Sequence, residues 1–249
     1  MCIRDRFCEV EILPSKEGGI VFCREGVLIP AHPDYVLDTH NRVVLARDGV
    51  RVSGVEHLLS CMGILGINSV LVNVMGEEIP AFDGSGWYFW RALKRVGTVV
   101  VGKVLPPSFQ RVEGRGFLYE PGEGFVIEYH ITLRGRNYSF VRNVTPIIYE
   151  REIVRARTFG TMRGWQCLRG IGLARGANLC NSVLITRDGF VPTLRYPDEP
   201  VRHKVLDLIG DLMLIGCVPQ GRFVIKGGGH TLHLEMVKAL TGRCYAKTI

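Results

Sequence analysis

The chain has 249 residues, enough for one large domain or two modest ones, each with its own core. Its composition, 47% hydrophobic and 22% charged, is that of a globular protein, and no apolar run reaches the ~18 residues of a membrane span. The formal charge of +7 is spread without a Lys/Arg run or interleaved aromatics, which argues against nucleic acid and favours a small anionic substrate.

Met1-Cys-Ile-Arg-Asp-Arg6 is charged and lacks the apolar segment of a secretory leader. The 8 cysteines contain no Cys-x-x-Cys, so a thiol zinc finger is not expected. Reduced thiols in a cytosol are the simplest reading, and a cytoplasmic location is expected. Gly19 to Cys23 and Ser69 to Val74 are β-branched and bounded by turn residues, as strands are. Between them, Ser53-Gly-Val-Glu56 matches a capping box and predicts a helix through Leu58, Leu59, Met62 and Leu65. The loop Ile79-Pro-Ala-Phe-Asp-Gly-Ser-Gly precedes an amphipathic helix near Tyr88 to Val96. Val101 to Pro107, with Pro106-Pro107, is the best domain boundary.

The second half repeats the scheme. Phe125 to Leu133 alternates as a strand, with His130 on a half-exposed face, and Ala156-Arg-Thr-Phe-Gly160 is another strand end. Trp165 to Gly170 is helix-like, and Ser182 to Thr186 followed by Arg-Asp-Gly reads as strand and turn. Pro200 starts the main helix and Gly216 ends it. The strand Arg222-Phe-Val-Ile leads through Gly227-Gly-Gly to His230 and a final helix through Leu234 and Leu240. The fold class is therefore α+β, as two halves, residues 1–103 and 104–249.

The chemistry concentrates in Val201-Arg-His-Lys-Val-Leu-Asp-Leu-Ile-Gly-Asp211. Residues four apart share a helix face, so His203, Asp207 and Asp211 form a polar line among the apolar Val205, Leu208, Ile209 and Leu212. An imidazole and a carboxylate one turn apart suit zinc, and a catalytic zinc keeps three protein ligands and an open position. His57 would be the third ligand, and Glu56 beside it a base for water. Asp211 could orient His230, which would then act as proton donor or electrostatic stabiliser. Lys204 would add positive charge at the mouth. Alternatives stand at each point: Glu56 as a capping residue, His57 as a partly buried helix histidine, and an intrahelical His203–Asp207 hydrogen bond. The glycines before His230 could equally serve a tight turn.

The runs Val55-Glu-His-Leu-Leu-Ser60, Ile79-Pro-Ala-Phe-Asp-Gly-Ser85, Ala156-Arg-Thr-Phe-Gly160, Leu194-Arg-Tyr, Val201 to Asp211 and Gly228-Gly-His230 occur in an order that resembles the UDP-3-O-acyl-N-acetylglucosamine deacetylases. These are zinc amidases of lipid A synthesis in Gram-negative bacteria, and the likeness runs from about Gly19 to Leu240. The resemblance implies two similar α+β domains, each a sheet packed on helices, with the active site between them. It implies zinc on His57, His203 and Asp207, Glu56 as general base, and His230 as acid or charge partner supported by Asp211. It adds Thr158 as an oxyanion donor and Lys204 and Phe159 as substrate contacts. A small βαβ-type insert, roughly Gly160 to Arg187 with Met162, Trp165, Leu168, Ile171 and Leu173, would form an acyl-chain passage, although these side chains could equally be core. A monomer acting on a UDP-sugar, with no nucleic-acid or membrane-spanning part, is expected.

The chain departs from that family in two ways. It is expected to lack the first strand and its histidine-bearing glycine-rich loop, with Met1 to Arg6 an assembly scar and a sheet edge left unpaired. His233 stands where many members carry asparagine, and reads as helix surface or a residue behind the site. Two rival readings remain: a zinc deacetylase of another N-acetylated sugar nucleotide, and an inert basic binding module.

Overall fold

The computed structural model describes residues 8–100, 109–170 and 176–242. The chain opens with strands β1 (Glu9–Pro14), β2 (Gly19–Arg24) and β3 (Val27–Pro30), then β4 (Val36–Asp38), β5 (Val44–Arg47) and β6 (Val50–Ser53). Helix α1 (Glu56–Ile64), strand β7 (Ser69–Met75) and helix α2 (Trp87–Val96) follow. Strands β8 (Val112–Gly114), β9 (Phe117–Glu120), β10 (Phe125–Leu133) and β11 (Arg136–Asn143) lead to a short α3 (Pro146–Ile148) that runs into a π-turn, Tyr149–Ile153. Next come β12 (Phe159–Thr161), α4 (Met162–Gly170), β13 (Val183–Ile185) and β14 (Phe190–Val191). The chain then forms α5 (Glu199–Leu212), β15 (Gly221–Lys226) and α6 (His230–Leu240).

The result is α+β, with each described sheet drawn from one half of the chain. A four-stranded sheet of order β1-β7-β2-β3 and a three-stranded sheet β4-β5-β6 belong to the first half. A five-stranded sheet of order β11-β10-β15-β9-β8 and the three-stranded β12-β13-β14 belong to the second. The boundary expected at Val101 to Pro107 lies outside the described residues, as do Met1 to Arg6 and, in the insert, Ile171 and Leu173. The rest of the insert is a βαβ unit: β12 and β13 pair in parallel across α4.

Burial follows residue period. Ile127 and Tyr129 on β10 are wholly buried, and Phe125 and Ile131 nearly so, while alternate positions reach solvent. Each buried side chain of this size contributes about 1.5–3 kcal/mol. The same alternation buries Val70, Val72 and Val74 on β7. Helix α5 is buried on nearly every face, because α1 packs on one side and β10 and β11 on another. A single apolar core runs through both halves, from Phe22 and Leu58 to Ile209 and Phe223. The α1–α5 contact is backbone-close at Gly210, where a Cβ would stand 2.1 Å from the Glu56 carbonyl oxygen.

Two local expectations change. Ser53 does not cap α1: it ends β6, its N–H bonds Glu77 O, and its carbonyl accepts from Ile79 N. The helix starts at Glu56 after Val55 with no side-chain cap, so sheet pairing outcompeted the capping box and left the Glu56 carboxylate for other use. Leu65 lies just past the helix end. The strand β1, antiparallel to β7 at the sheet edge, was not anticipated, because Glu9-Val-Glu-Ile-Leu-Pro carries only two alternating apolar positions before its proline.

Candidate metal centre

Helix α5 brings His203 and Asp207 into the core one turn apart, and α1 brings His57 against them. Oδ1 of Asp207 lies 3.4 Å from His203 Nε2 and 3.5 Å from His57 Nε2. That oxygen is buried and has no hydrogen-bond partner. Donor atoms of the three residues all fall within 4.8 Å of one another. A tetrahedral cation with bonds of about 2.0–2.1 Å spaces its ligand atoms by about 3.3–3.4 Å, so the two measured separations suit one coordination shell. An intrahelical hydrogen bond, the competing account of the His203–Asp207 spacing, does not form.

The surroundings prepare each donor. His203 Nδ1 faces Ala156 O at 3.1 Å, which places its proton there and leaves Nε2 as a lone pair. Burial pushes His203 down to about 4, keeping it neutral at ordinary pH. Lys204 Nζ donates to Asp207 Oδ2 at 2.8 Å, occupying one carboxylate oxygen and leaving the other for a cation. Burial alone would raise Asp207, but His203, Lys204 and His230 hold it well below the usual carboxylate range. The same pairing outweighs burial at Lys204 and raises its ammonium.

A cavity of about 450 Å³ opens over these groups, with walls from both halves of the chain. Glu56, His57, Thr158, Phe159, Lys204 and His230 all line it. Glu56 is nearly buried, and its Oε2 accepts from Val43 N–H at 3.1 Å, which orients the carboxylate. Phe159 stands edge-on to His203, with the Lys204 ammonium 5.6 Å from its ring. Thr158 is held at the wall, where its hydroxyl donates to Gly84 O. Beside it, the buried Arg157 binds Glu199 through Nε and Nη2 and ties the start of α5 to the segment that leads into β12. Trp165 and Leu168 of the insert also face the cavity.

His230 sits at the first position of α6, next to the cation position: its Nε2 is 3.8 Å from Asp207 Oδ2. Its Nδ1 donates to Asp211 Oδ2 at 2.8 Å. Burial works against its proton, but the Asp211 and Asp207 carboxylates prevail and raise it to about 9, so the imidazolium persists at neutral pH. His233, read as helix surface or a residue behind the site, is not at the surface: it is completely buried and also bonds Asp211. Sequence reasoning missed its partner Tyr129, whose inward position in β10 was readable from alternation but whose contact was not. It also missed the Val43 amide and the Arg157–Glu199 pair. His130 is taken up by Glu128, away from the site.

The sequence is similar to those of known proteins over most of its length. A model of the UDP-3-O-acyl N-acetylglycosamine deacetylase family matches residues 4–242, starting inside the stretch read as a scar. The UDP-3-O-acyl-N-acetylglucosamine deacetylase of Aquifex aeolicus (strain VF5) is 36% identical over 249 residues, covering 94% of this chain and 86% of that protein. That of Thermodesulfovibrio yellowstonii is 35% identical over 253 residues, covering 95% and 86%. The Wolinella succinogenes protein of the same name is 36% identical over 247 residues, covering 93% and 82%.

Proposed function

The chain belongs to the UDP-3-O-acyl N-acetylglycosamine deacetylase family, and from that premise we infer that it hydrolyses the acetamide of UDP-3-O-acyl-N-acetylglucosamine in lipid A synthesis, releasing acetate. The observation that carries this reading at the site is the unpartnered Asp207 Oδ1 between the Nε2 atoms of His57 and His203. We assign these three residues to zinc, since two imidazoles and one carboxylate with a fourth position open match catalytic rather than structural sites. When bound, zinc supplies Lewis acidity, acidifying water and polarising a carbonyl.

The chain's own groups supply the rest. Glu56, held by the Val43 amide, takes a proton from the attacking water as the carbon–oxygen bond forms at the acetamide carbon. Protonated His230 lies beside the oxygen that becomes negative and gives its proton to the nitrogen as the carbon–nitrogen bond breaks. Thr158 supports the same oxyanion once its hydroxyl rotates from Gly84 O. Lys204 and Phe159 contact the sugar nucleotide, and Trp165 and Leu168 line the passage for the acyl chain. Among the described residues no helix is long and apolar enough to cross a membrane. The intact donor set speaks against an inert binding module.

Two variants test the assignment. Glu56→Ala keeps its zinc and loses turnover by about 10²–10⁴-fold, the range for removing a positioned base. His203→Ala loses the metal, read by elemental analysis of the purified protein. A Glu56→Ala enzyme with parental turnover, or a His203→Ala protein with a full zinc equivalent, refutes it.

A further inference from the structure

Behind His230, its partner Asp211 leads to two further buried polar groups, His233 and Tyr129, that the reaction described above does not use. Asp211 Oδ2 receives two imidazoles at once, His230 Nδ1 at 2.8 Å and His233 Nδ1 at 2.7 Å. The two histidines are three residues apart on α6 and so share a helix face. On its far side, His233 Nε2 meets the Tyr129 hydroxyl at 2.7 Å. His233, Asp211 and Tyr129 are all essentially excluded from solvent, and they tie α6, α5 and β10 together.

The chemistry of these groups settles the direction of each bond. An ionised carboxylate only accepts, so both Nδ1 atoms carry protons. Burial lowers His233 and raises Tyr129 well above the usual phenol value, so a neutral imidazole meets a protonated phenol. The Tyr129 hydroxyl therefore donates to His233 Nε2, and His233 Nδ1–H donates to Asp211. Asp211, His230 and His233 also have the composition of a metal site. Their nitrogen–oxygen separations are those of hydrogen bonds; ligands of one zinc stand about 3.3 Å apart.

We propose that His233 is a positioning residue for His230: anchored by Tyr129, it clamps the Asp211 carboxylate so that Oδ2 holds the His230 ring with Nε2 directed at the reaction centre. The inference rests on the role given to His230 above. Without His233 the carboxylate keeps a single neighbour and is free to rotate, because Asp211 Oδ1 has no hydrogen-bond partner to hold it. Asparagine at this position can still offer an N–H to Asp211 but cannot pass on an anchor of the same reach to Tyr129.

The test uses the zinc-loaded enzyme. His233→Leu should lower kcat by about 10- to 100-fold, the usual cost of losing such a supporting partner, with KM and zinc content unchanged. His233→Asn should recover most of that loss, and Tyr129→Phe should fall between parent and His233→Leu. Nitrogen-15 NMR of the parent should show His233 protonated at Nδ1 and unprotonated at Nε2. Parental kcat in His233→Leu, equal losses in the leucine and asparagine variants, or a proton on His233 Nε2 each overturns the proposal. If His233→Leu does not fold, the other two variants and the spectrum still decide. A parent enzyme that binds zinc but leaves the UDP-sugar intact refutes the deacetylase reading instead, and the NMR result stands apart from that outcome.

Discussion

Gly210 offers a substitution whose local and tertiary effects have opposite signs. In an isolated helix, alanine is favoured over glycine by about 1 kcal/mol. Here a Cβ would stand 2.1 Å from Glu56 O, 2.8 Å from its carbonyl carbon and 3.0 Å from its Cα. All three are backbone atoms, so no rotamer change relieves the overlap. Moving from 2.1 Å to van der Waals contact near 3.5 Å requires α1 and α5 to part by about 1.4 Å at this point. Overpacking of this kind costs about 1–3 kcal/mol, which offsets or exceeds the helix gain. The functional effect is larger, because Glu56 and His57 ride on α1 while His203 and Asp207 ride on α5. Metal–ligand distances tolerate about 0.2 Å, so a displaced His57 no longer completes the shell. A misplacement of about 1 Å at a reacting group is worth roughly 100-fold in rate. Gly210→Ala should therefore bind zinc more weakly in a chelator competition and lose about 100-fold in kcat/KM, with a modest change in Tm. A variant that stabilises the fold while keeping parental zinc affinity and turnover would show that the α1–α5 contact does not set the site.

Three further variants probe other parts of the structure. Burial alone would raise Glu199, but the Arg157 guanidinium and the Arg195 and Arg157 amides outweigh it and lower its pKa. A carboxylate lowered in this way contributes stability that is present above its unfolded pKa and lost as pH falls through the folded value. Arg157→Met should cost about 3–5 kcal/mol at neutral pH by stranding that buried charge; Glu199→Gln should flatten the acid limb of a Tm-versus-pH curve, and an unchanged limb would refute the linkage. Trp165→Ala should raise KM for substrates with long acyl chains and spare short-chain ones, measured over a series of chain lengths; a uniform change across the series would remove the insert from chain recognition.

Local pattern was enough to place the elements that carry the chemistry. The four-residue spacing of His203, Asp207 and Asp211 requires a shared helix face, and α5 has it, begun near Pro200 and followed by Gly216 at φ 95°. Alternation in Phe125 to Leu133 put His130 on a half-exposed face, as it is, and the helix expected near Tyr88 to Val96 forms as Trp87–Val96. Local pattern misled where a long-range pairing overrode it: Ser53 matched a capping motif, but its backbone found partners at Glu77 and Ile79. It named His57 and His230 as candidates but could not by itself bring together residues far apart in the chain. Which imidazoles meet Asp207, which meet Asp211, and that Oδ1 of Asp207 is left bare all depend on α1 docking on α5 at Gly210 and α6 lying beside it. Helical and strand periods constrain neighbours within a few residues; hydrogen-bond partners 22 residues apart, as in His233 and Asp211, or 104 apart, as in His233 and Tyr129, are selected only when the core packs.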